Sequence, residues 1–427
     1  MAKFPILENK KEIKRNFIVG LDIGTTKITA IVGEQTEKGL DIIGIGNAPS
    51  HGLRKGVVIN IESTVESIKK AVLEAELMAG CQIESAYVGI AGAHISSSNS
   101  NGIVAIKNHE ISQSDVTRVI GAAKAVAIPM DREIIHVIPQ EYIIDDQDGI
   151  KEPVGMSGVR LEAKVHIVTA AISSAQNIIK SCNRAGIQVA ELVLQSLASS
   201  ESVLSEDEKE LGVMMVDIGG GTTDIAIYSQ GALIHTAVLP VGGNHITNDI
   251  ALGLRTPQNE AEKIKLRYGC AMASMVGEVD TIEVPGVGGR KPRTVLRKLL
   301  AEIIEPRVEE MFRLIQRELQ RSGYQDLVAS GIVLSGGSCL LDGFVELGEF
   351  IIDMPVKRGF PMELGGIKDV VNSPKFATGV GLLKLHKQPQ RSMARQINPM
   401  ASMDKANVGE WANKVGSSVK VWIKDLF

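Results

Sequence analysis

The pattern that most restricts this chain is a strand-turn-strand unit that occurs twice, about half a chain apart. In the first copy an apolar run at 17–21 (FIVGL) leads into Asp22-Ile23-Gly24-Thr25-Thr26 and out through 28–32 (ITAIV). In the second, 212–216 (GVMMV) leads into Asp217-Ile218-Gly219-Gly220-Gly221-Thr222-Thr223-Asp224 and out through 225–228 (IAIY). Short β-branched runs bounded by Asp and Gly read as strands joined by tight turns. A repeated unit of this kind predicts two similar α/β lobes.

The turns carry phosphate-binding chemistry. A triphosphate needs many donors near its oxygens, and backbone N–H groups reach it only where no Cβ intervenes. Gly24, Gly219, Gly220 and Gly221 supply such positions, the hydroxyls of Thr25, Thr26, Thr222 and Thr223 add donors, and Lys27 brings a charge for the β- or γ-phosphate. Asp22 and Asp217, ending their strands, are expected to face the same space and hold Mg2+ through water, because this ion keeps much of its hydration shell. A third glycine element, Ser335-Gly336-Gly337-Ser338-Cys339, follows a strand at 331–334. One Asp-Ile-Gly alone also fits an ordinary β-turn. Two copies in the same strand context, with Gly336-Gly337 at a strand-to-helix junction, favour a nucleotide site. Neither a G-x-x-x-x-G-K-[ST] loop nor a G-x-G-x-x-G opening a helix occurs.

A chain of 427 residues, 44% of them hydrophobic, exceeds what one core usually fills. Mixed α/β structure is expected throughout. A helix at 63–80 places Val65, Ile68, Val72, Ala75 and Met78 or Ala79 on one face. Residues 86–168 read as a small inserted domain of short strands and one helix after Ser114, with Val116, Val119, Ile120 and Ala123 inward. A helix carrying Leu340, Leu341, Phe344 and Leu347 is expected after the third glycine element, and another at 376–383. With 46 basic against 50 acidic residues, the net charge of −4 offers no overall field for nucleic acid. Cys81, Cys182, Cys270 and Cys339 lie far apart in small or apolar surroundings, which predicts buried thiols in a reducing cytoplasm rather than a metal cluster. Residues 1–16 lack the apolar core of a signal peptide, and no apolar run is long enough to span a bilayer, so neither export nor a spanning helix is expected.

From 386 to 407 the chain turns polar and reads as a flexible linker. Both tryptophans of the chain then appear close together, at 411 and 422. Trp411, Val415, Val419, Trp422, Ile423 and Leu426, followed by Phe427, recur at helical spacing over 408–427, while Lys414, Ser417, Ser418 and Lys424 take other faces. This amphipathic helix suits the headgroup plane of an anionic membrane, with Trp at the interface and Lys toward lipid phosphate. Docking back onto the protein is the alternative.

The motifs at 22–27 and 217–224, with the turn at 335–340, resemble the phosphate and adenosine elements of the actin, Hsp70 and sugar-kinase ATPase superfamily. The resemblance covers nearly all of the first 385 residues. It implies an actin-like fold, with two ribonuclease-H-like lobes around an ATP cleft. By the same resemblance Gly336, Gly337 and Ser338 form the adenosine turn, and Glu262 and Lys265, in 261–269 (AEKIKLRYG), touch ribose and adenine. Gln195, in 194–199 (LQSLAS), matches the glutamine that positions the attacking water, beside Asp217 as the second catalytic candidate. An ordinary surface helix and a buried amide without catalytic task remain alternatives for the last two segments.

Insert, linker and terminal helix together resemble the FtsA family of bacterial cell-division proteins, in 211–224 (LGVMMVDIGGGTTD), 282–290 (IEVPGVGGR) and 421–424 (VWIK). The resemblance implies an N-terminal extension (1–16), a first lobe (17–85 and 169–210), the inserted domain (86–168), a second lobe (211–243 and 330–385) and a further subdomain (244–329). It implies a protein that polymerises at the cytoplasmic face of the inner membrane, tethers FtsZ filaments there and recruits later division proteins. ATP is then chiefly a conformational ligand, with at most weak hydrolysis. Segment 289–321 becomes the receptor for the FtsZ C-terminal peptide, Arg290, Arg293, Arg297 and Arg307 facing its acidic groups, although a solvated helix face fits those arginines equally. A sugar-type kinase stays open, but it needs a substrate pocket and has no use for the tail. An Hsp70-type chaperone needs a large peptide-binding domain after the core, and is not expected.

Overall fold

The computed structural model describes residues 17–37 and 39–387. The N-terminal extension, most of the linker and the amphipathic segment with Trp411, Val415, Val419, Trp422, Ile423, Leu426 and Phe427 lie outside the described residues.

Each hairpin seeds a sheet, and five strands of each follow one topology, the first sheet adding a sixth, Leu364–Gly366, parallel to Gly39–Pro49. In the first, strand Phe17–Ile23 pairs antiparallel with Lys27–Thr36, which pairs antiparallel with Gly39–Pro49. On its other side it pairs parallel with Ser85–Ile90, and that strand with Gln188–Leu194. In the second, Val213–Ile218 pairs antiparallel with Thr223–Ser229 and through it with Ala232–Leu239, and parallel with Ile332–Ser335, then Val356–Arg358. Central strands buried on both faces explain the unbroken apolar runs in the sequence. Met214, Val216 and Ile218 pack on one side of the second sheet against a core with Phe312 and Phe344. Val19, Leu21 and Ile23 meet Ile68 and Val72 of helix Ile61–Ala79. On that helix Ala71 joins the inward face, and of Met78 and Ala79 it is Ala79 that packs on the core while Met78 is half exposed, because 79 continues the spacing of 68, 72 and 75.

The insert is a four-stranded sheet, ordered Ile95–Ala105, Arg160–Ala171, Arg132–Ile144 and Gln147–Ile150, with helix Gln113–Ala123 against it. Val116, Val119, Ile120 and Ala123 are buried as the spacing predicts. Its limits differ from 86–168: strand Ser85–Ile90 belongs to the first lobe's sheet, and strand Arg160–Ala171 runs past 168. The insert leaves the chain from the first lobe yet docks on the second lobe's edge strand. Ser97 Oγ donates to Thr236 O (2.8 Å), Asn99 Nδ2 to Ile234 O (3.2 Å) and Gln140 Nε2 to Leu233 O (3.1 Å). His166 bridges the seam, with Nδ1 2.6 Å from Asn99 Oδ1 and Nε2 2.9 Å from Thr236 Oγ1. Burial holds that imidazole down to about 3, so it is neutral there.

Two helices cross where the chain passes between lobes, Gln195–Val203 and Ala377–Lys384. A Cβ at Gly381 would lie 1.7 Å from Ala198 O, so only glycine permits the crossing. The helix expected to carry Leu340 through Leu347 is two elements, a 3-10 turn Gly337–Leu340 and a helix Phe344–Ile352. Gly343, at φ +72°, breaks the first from the second.

Candidate functional site

The two hairpins meet across a cavity of about 530 Å³ between the lobes, a size typical of small-molecule sites. Their tips touch: a Cβ at Gly220 would lie 2.2 Å from Thr26 Cγ2, and one at Gly221 2.7 Å from Thr25 Oγ1. Asp22, Gly24, Thr25, Thr26 and Lys27 line it from one lobe and Asp217, Gly219, Gly220, Gly221 and Thr222 from the other. Glu262, Lys265, Gly336, Gly337, Ser338 and Gln195 also line it. Thr223 is the exception. It is fully buried and its Oγ1 donates to Val241 O (2.9 Å), because alternation along the strand turns it away from the turn's open side.

Two cationic groups serve opposite ends. Lys27 Nζ donates to Thr29 Oγ1 (2.9 Å) and Lys375 O (2.6 Å) and stands 4.6 Å from the Phe376 ring centroid. Lys265 Nζ donates to Thr247 Oγ1 (2.9 Å) and pairs with Glu262 (2.8 Å), so helix Gln258–Tyr268 offers a fixed pair of opposite charges. Ser338 Oγ donates to Gly219 O (3.0 Å), tying the third glycine turn to the second hairpin. Gln195 Nε2 donates to Asp22 Oδ1 (3.1 Å).

Asp224 closes the second motif but is not among the site residues expected from the sequence. It stands directly across the hairpin from Asp217, and Thr29 takes the matching place opposite Asp22. Asp224 lines the cavity, and its Oδ1 is buried without a hydrogen-bond partner, while Oδ2 accepts from Thr222 Oγ1 (2.9 Å). A buried orphan oxygen is costly unless a donor or cation comes to it. Burial raises the Asp224 carboxyl to about 8, the Asp217 charge adding to the effect, and burial raises Asp22 to about 6 against the pull of Lys27. Asp217 is also raised by burial, opposed by hydrogen bonds from Ser199 and Thr378. Lys375 also lines the cavity, and no local signal marked it, since only the fold brings it beside Lys27.

These carboxyls hold their protons more tightly folded than unfolded. They therefore favour the native state at low pH and cost stability as pH rises through about 6 and about 8. A dication held there would reverse the preference and displace the protons. Mg2+-dependent nucleotide affinity is expected to rise across that window with proton release, and Asp224→Asn to flatten the rise. Calorimetry in buffers of different ionisation enthalpy checks this; the variant separates Asp224 from the titrating phosphates, and an unchanged slope in it contradicts the assignment.

A strand order shared by five strands of each sheet, around a glycine-lined cleft, defines an actin-like fold. Solved structures agree at the level of fold. The chain is similar to the PilM-PilN type IV pilus biogenesis complex (TM-score 0.64, 15% identity, 88% of this chain and 100% of that one). It is also similar to MreB5 of Spiroplasma citri bound to AMPPNP (TM-score 0.54, 15% identity, 90% and 98%). Sequence relatives narrow the class. A model for cell division protein FtsA matches residues 214–381, and one for the SHS2 domain inserted in FtsA matches 92–169. Cell division protein FtsA of Pseudomonas aeruginosa is 58% identical over 87% of this chain and 90% of its own length. That of Escherichia coli K12 is 44% identical over 98% and 100%, and that of Bacillus subtilis 40% over 89% and 85%. The chain belongs to the FtsA family of cell-division proteins.

Four arginines were read as a partner surface. Arg293 Nη2 donates to Leu254 O (2.5 Å), Arg297 Nε to Tyr268 O (2.9 Å), and Arg307 pairs with Asp249 (2.5 Å) and Glu310. Arg290 is exposed in the loop between strands Thr281–Val284 and Arg293–Leu296. Three of these guanidiniums are thus already engaged within the chain. All four cysteines are free thiols, three buried and Cys81 half-buried. Among the described residues no helix is long and apolar enough to cross a membrane, and no three His, Cys, Asp or Glu side chains lie close enough to hold a metal ion directly.

Proposed function

We propose that this protein binds ATP in the cleft, uses it to fix the relation of its lobes, polymerises, and ties FtsZ filaments to the inner membrane while recruiting later division proteins. The contact of the two hairpin tips, Thr25 and Thr26 against Gly220 and Gly221, carries the nucleotide part. A ligand whose phosphates lie between tips from opposite lobes is held by both, so its presence sets the closure of the cleft. That suits a conformational ligand better than rapid turnover.

Mg2+ neutralises the phosphates when bound. Asp22, Asp217 and Asp224 suit a hydrated ion: no three such side chains are grouped to ligate a metal directly among the described residues, and the orphan Asp224 Oδ1 asks for a donor such as a bound water. Lys27 neutralises phosphate charge, Glu262 and Lys265 orient the nucleoside, and Gln195 is placed to orient a water beside Asp22.

Family membership supports the FtsZ and membrane roles and gives the sugar-kinase reading nothing to rest on. Segment 289–321 remains the proposed peptide receptor, with Arg290 and the exposed Leu296 and Leu299 on its surface. The tail's Trp and Lys pattern supports a reversible anchor to anionic lipid. Removing 408–427 is expected to leave ATP binding intact and abolish sedimentation with anionic liposomes, and with it the sedimentation of FtsZ filaments on those liposomes. Equal sedimentation of the full-length and shortened proteins would sink the anchor.

A further inference from the structure

The two helices that cross between the lobes are an unusual place for hydroxyl groups. Ser196, Ser199, Ser200 and Ser202 are all buried on helix Gln195–Val203, as is Thr378 on helix Ala377–Lys384. Two of them have backbone tasks. Ser200 Oγ donates to Ser196 O (2.7 Å), and Ser202 Oγ shares its one proton between Ser199 O (2.9 Å) and Ala377 O (2.8 Å), stitching the helices together.

Ser199 and Thr378 do something else. Ser199 Oγ donates to Asp217 Oδ2 (2.5 Å), Thr378 Oγ1 donates to the same oxygen (3.1 Å), and the hydroxyls lie 2.9 Å apart. Two hydroxyl protons aimed at one oxygen satisfy a carboxylate; a neutral acid needs only one of them there. With Oδ2 so occupied, Oδ1 is left toward the third glycine turn, where a Cβ at Gly336 would come within 2.5 Å of it. The two donors also reach Asp217 from separate helices, 18 residues before it and 161 after it. No single element can hold the carboxylate in this pose.

We infer that Ser199 and Thr378 are positioning residues for the nucleotide site: one hydroxyl from each crossing helix fixes Asp217 Oδ2, so that Oδ1 is presented to the hydrated cation only while the helices keep this crossing. The inference rests on the Mg2+–ATP reading of the cleft. Neither hydroxyl is assigned to touch nucleotide or ion; each acts through the carboxylate it holds. Fixing a ligating group through outer contacts is a general requirement of sites that discriminate by geometry.

The test compares ATP affinity in Mg2+ with ATP affinity in EDTA, by equilibrium binding, for the full-length protein and three variants. Thr378→Val keeps the side-chain volume and removes the hydroxyl, Thr378→Ser keeps the hydroxyl, and Ser199→Ala removes the other donor. Thr378→Val and Ser199→Ala are expected to lose about five- to tenfold of the Mg2+ enhancement, with affinity in EDTA within about twofold of wild type. Thr378→Ser is expected to restore the enhancement. A purely structural role would lower both affinities together, or the melting temperature alone, and that result overturns the inference. So does Thr378→Ser behaving like Thr378→Val. If Ser199→Ala fails to fold, the Thr378 pair decides. Wild-type protein whose ATP binding ignores Mg2+ would sink the cation reading itself, and the inference with it.

Discussion

Gly336→Val is expected to abolish measurable ATP binding, with a loss of more than about a hundredfold, or about 3 kcal/mol. Gly336 ends strand Ile332–Ser335 at φ +84°, a region L side chains rarely adopt. Its Cβ would fall 2.4 Å from Ile218 O and 2.5 Å from Asp217 Oδ1. The first neighbour is backbone of the second hairpin and cannot turn aside. The second is the carboxylate assigned to the cation, so the damage reaches the phosphate end as well as the adenosine turn. Backbone strain of about 1–3 kcal/mol adds to the overpacking and lowers stability too. Neighbouring changes separate the effects. Gly337→Ala meets only Lys375 Cβ, at 3.9 Å, and is expected to bind nucleotide. Cys339→Ser keeps a donor for Gly336 O, which Sγ reaches at 3.1 Å, and is likewise expected to bind. Titration calorimetry on folded samples checks all three, and unchanged affinity in Gly336→Val would refute the placement of the turn.

The largest expected effect on stability is at the crossing. Gly381→Val places its Cβ 1.7 Å from Ala198 O and 2.3 Å from Ala198 C, both backbone. Helices Gln195–Val203 and Ala377–Lys384 must then separate, breaking the Ser202 stitch and the Ser199–Thr378 contact. A cost of about 3 kcal/mol or more is expected, the upper range for overpacking a tight interior. Gly121, on helix Gln113–Ala123, has nothing within 4 Å of an added Cβ. Gly121→Ala is therefore expected to stabilise by about 0.5–1 kcal/mol, through helix propensity. Denaturant unfolding of the two variants measures the contrast. Equal midpoints would mean that the crossing yields without strain.

What could be read before folding follows the range of the forces. Asp-Gly turns between β-branched runs are local chemistry, so both hairpins and their repetition were legible, and with them the fold class. Asp22, Lys27, Gly220 and Gly336 line one cavity, and they could be grouped beforehand because a glycine-rich turn and its hydroxyls are local signals. Thr223 was misplaced because a motif does not say which side of a pleat each member takes, and Asp224 was passed over for the same reason. Ser199 and Thr378 carry no motif; their meaning depends on a contact made 161 residues away in the chain. The arginines of segment 289–321 looked available because acceptors such as Leu254 O and Tyr268 O are backbone atoms, which no side-chain pattern records. The insert began later than expected because Ser85–Ile90 owes its place to a parallel partner at Gln188–Leu194, far along the chain.

The docking of the insert on strand Ala232–Leu239 also bears on the order in which the molecule is made. That strand is an outer edge of the second sheet, and an open edge invites pairing with other chains. Its cover, Ser97, Asn99, Gln140 and His166, lies earlier in the sequence. During synthesis from the N-terminus the insert has emerged before the edge it seals. The nascent second lobe thus meets a waiting partner, and the interval in which its edge stands exposed to neighbouring chains is short.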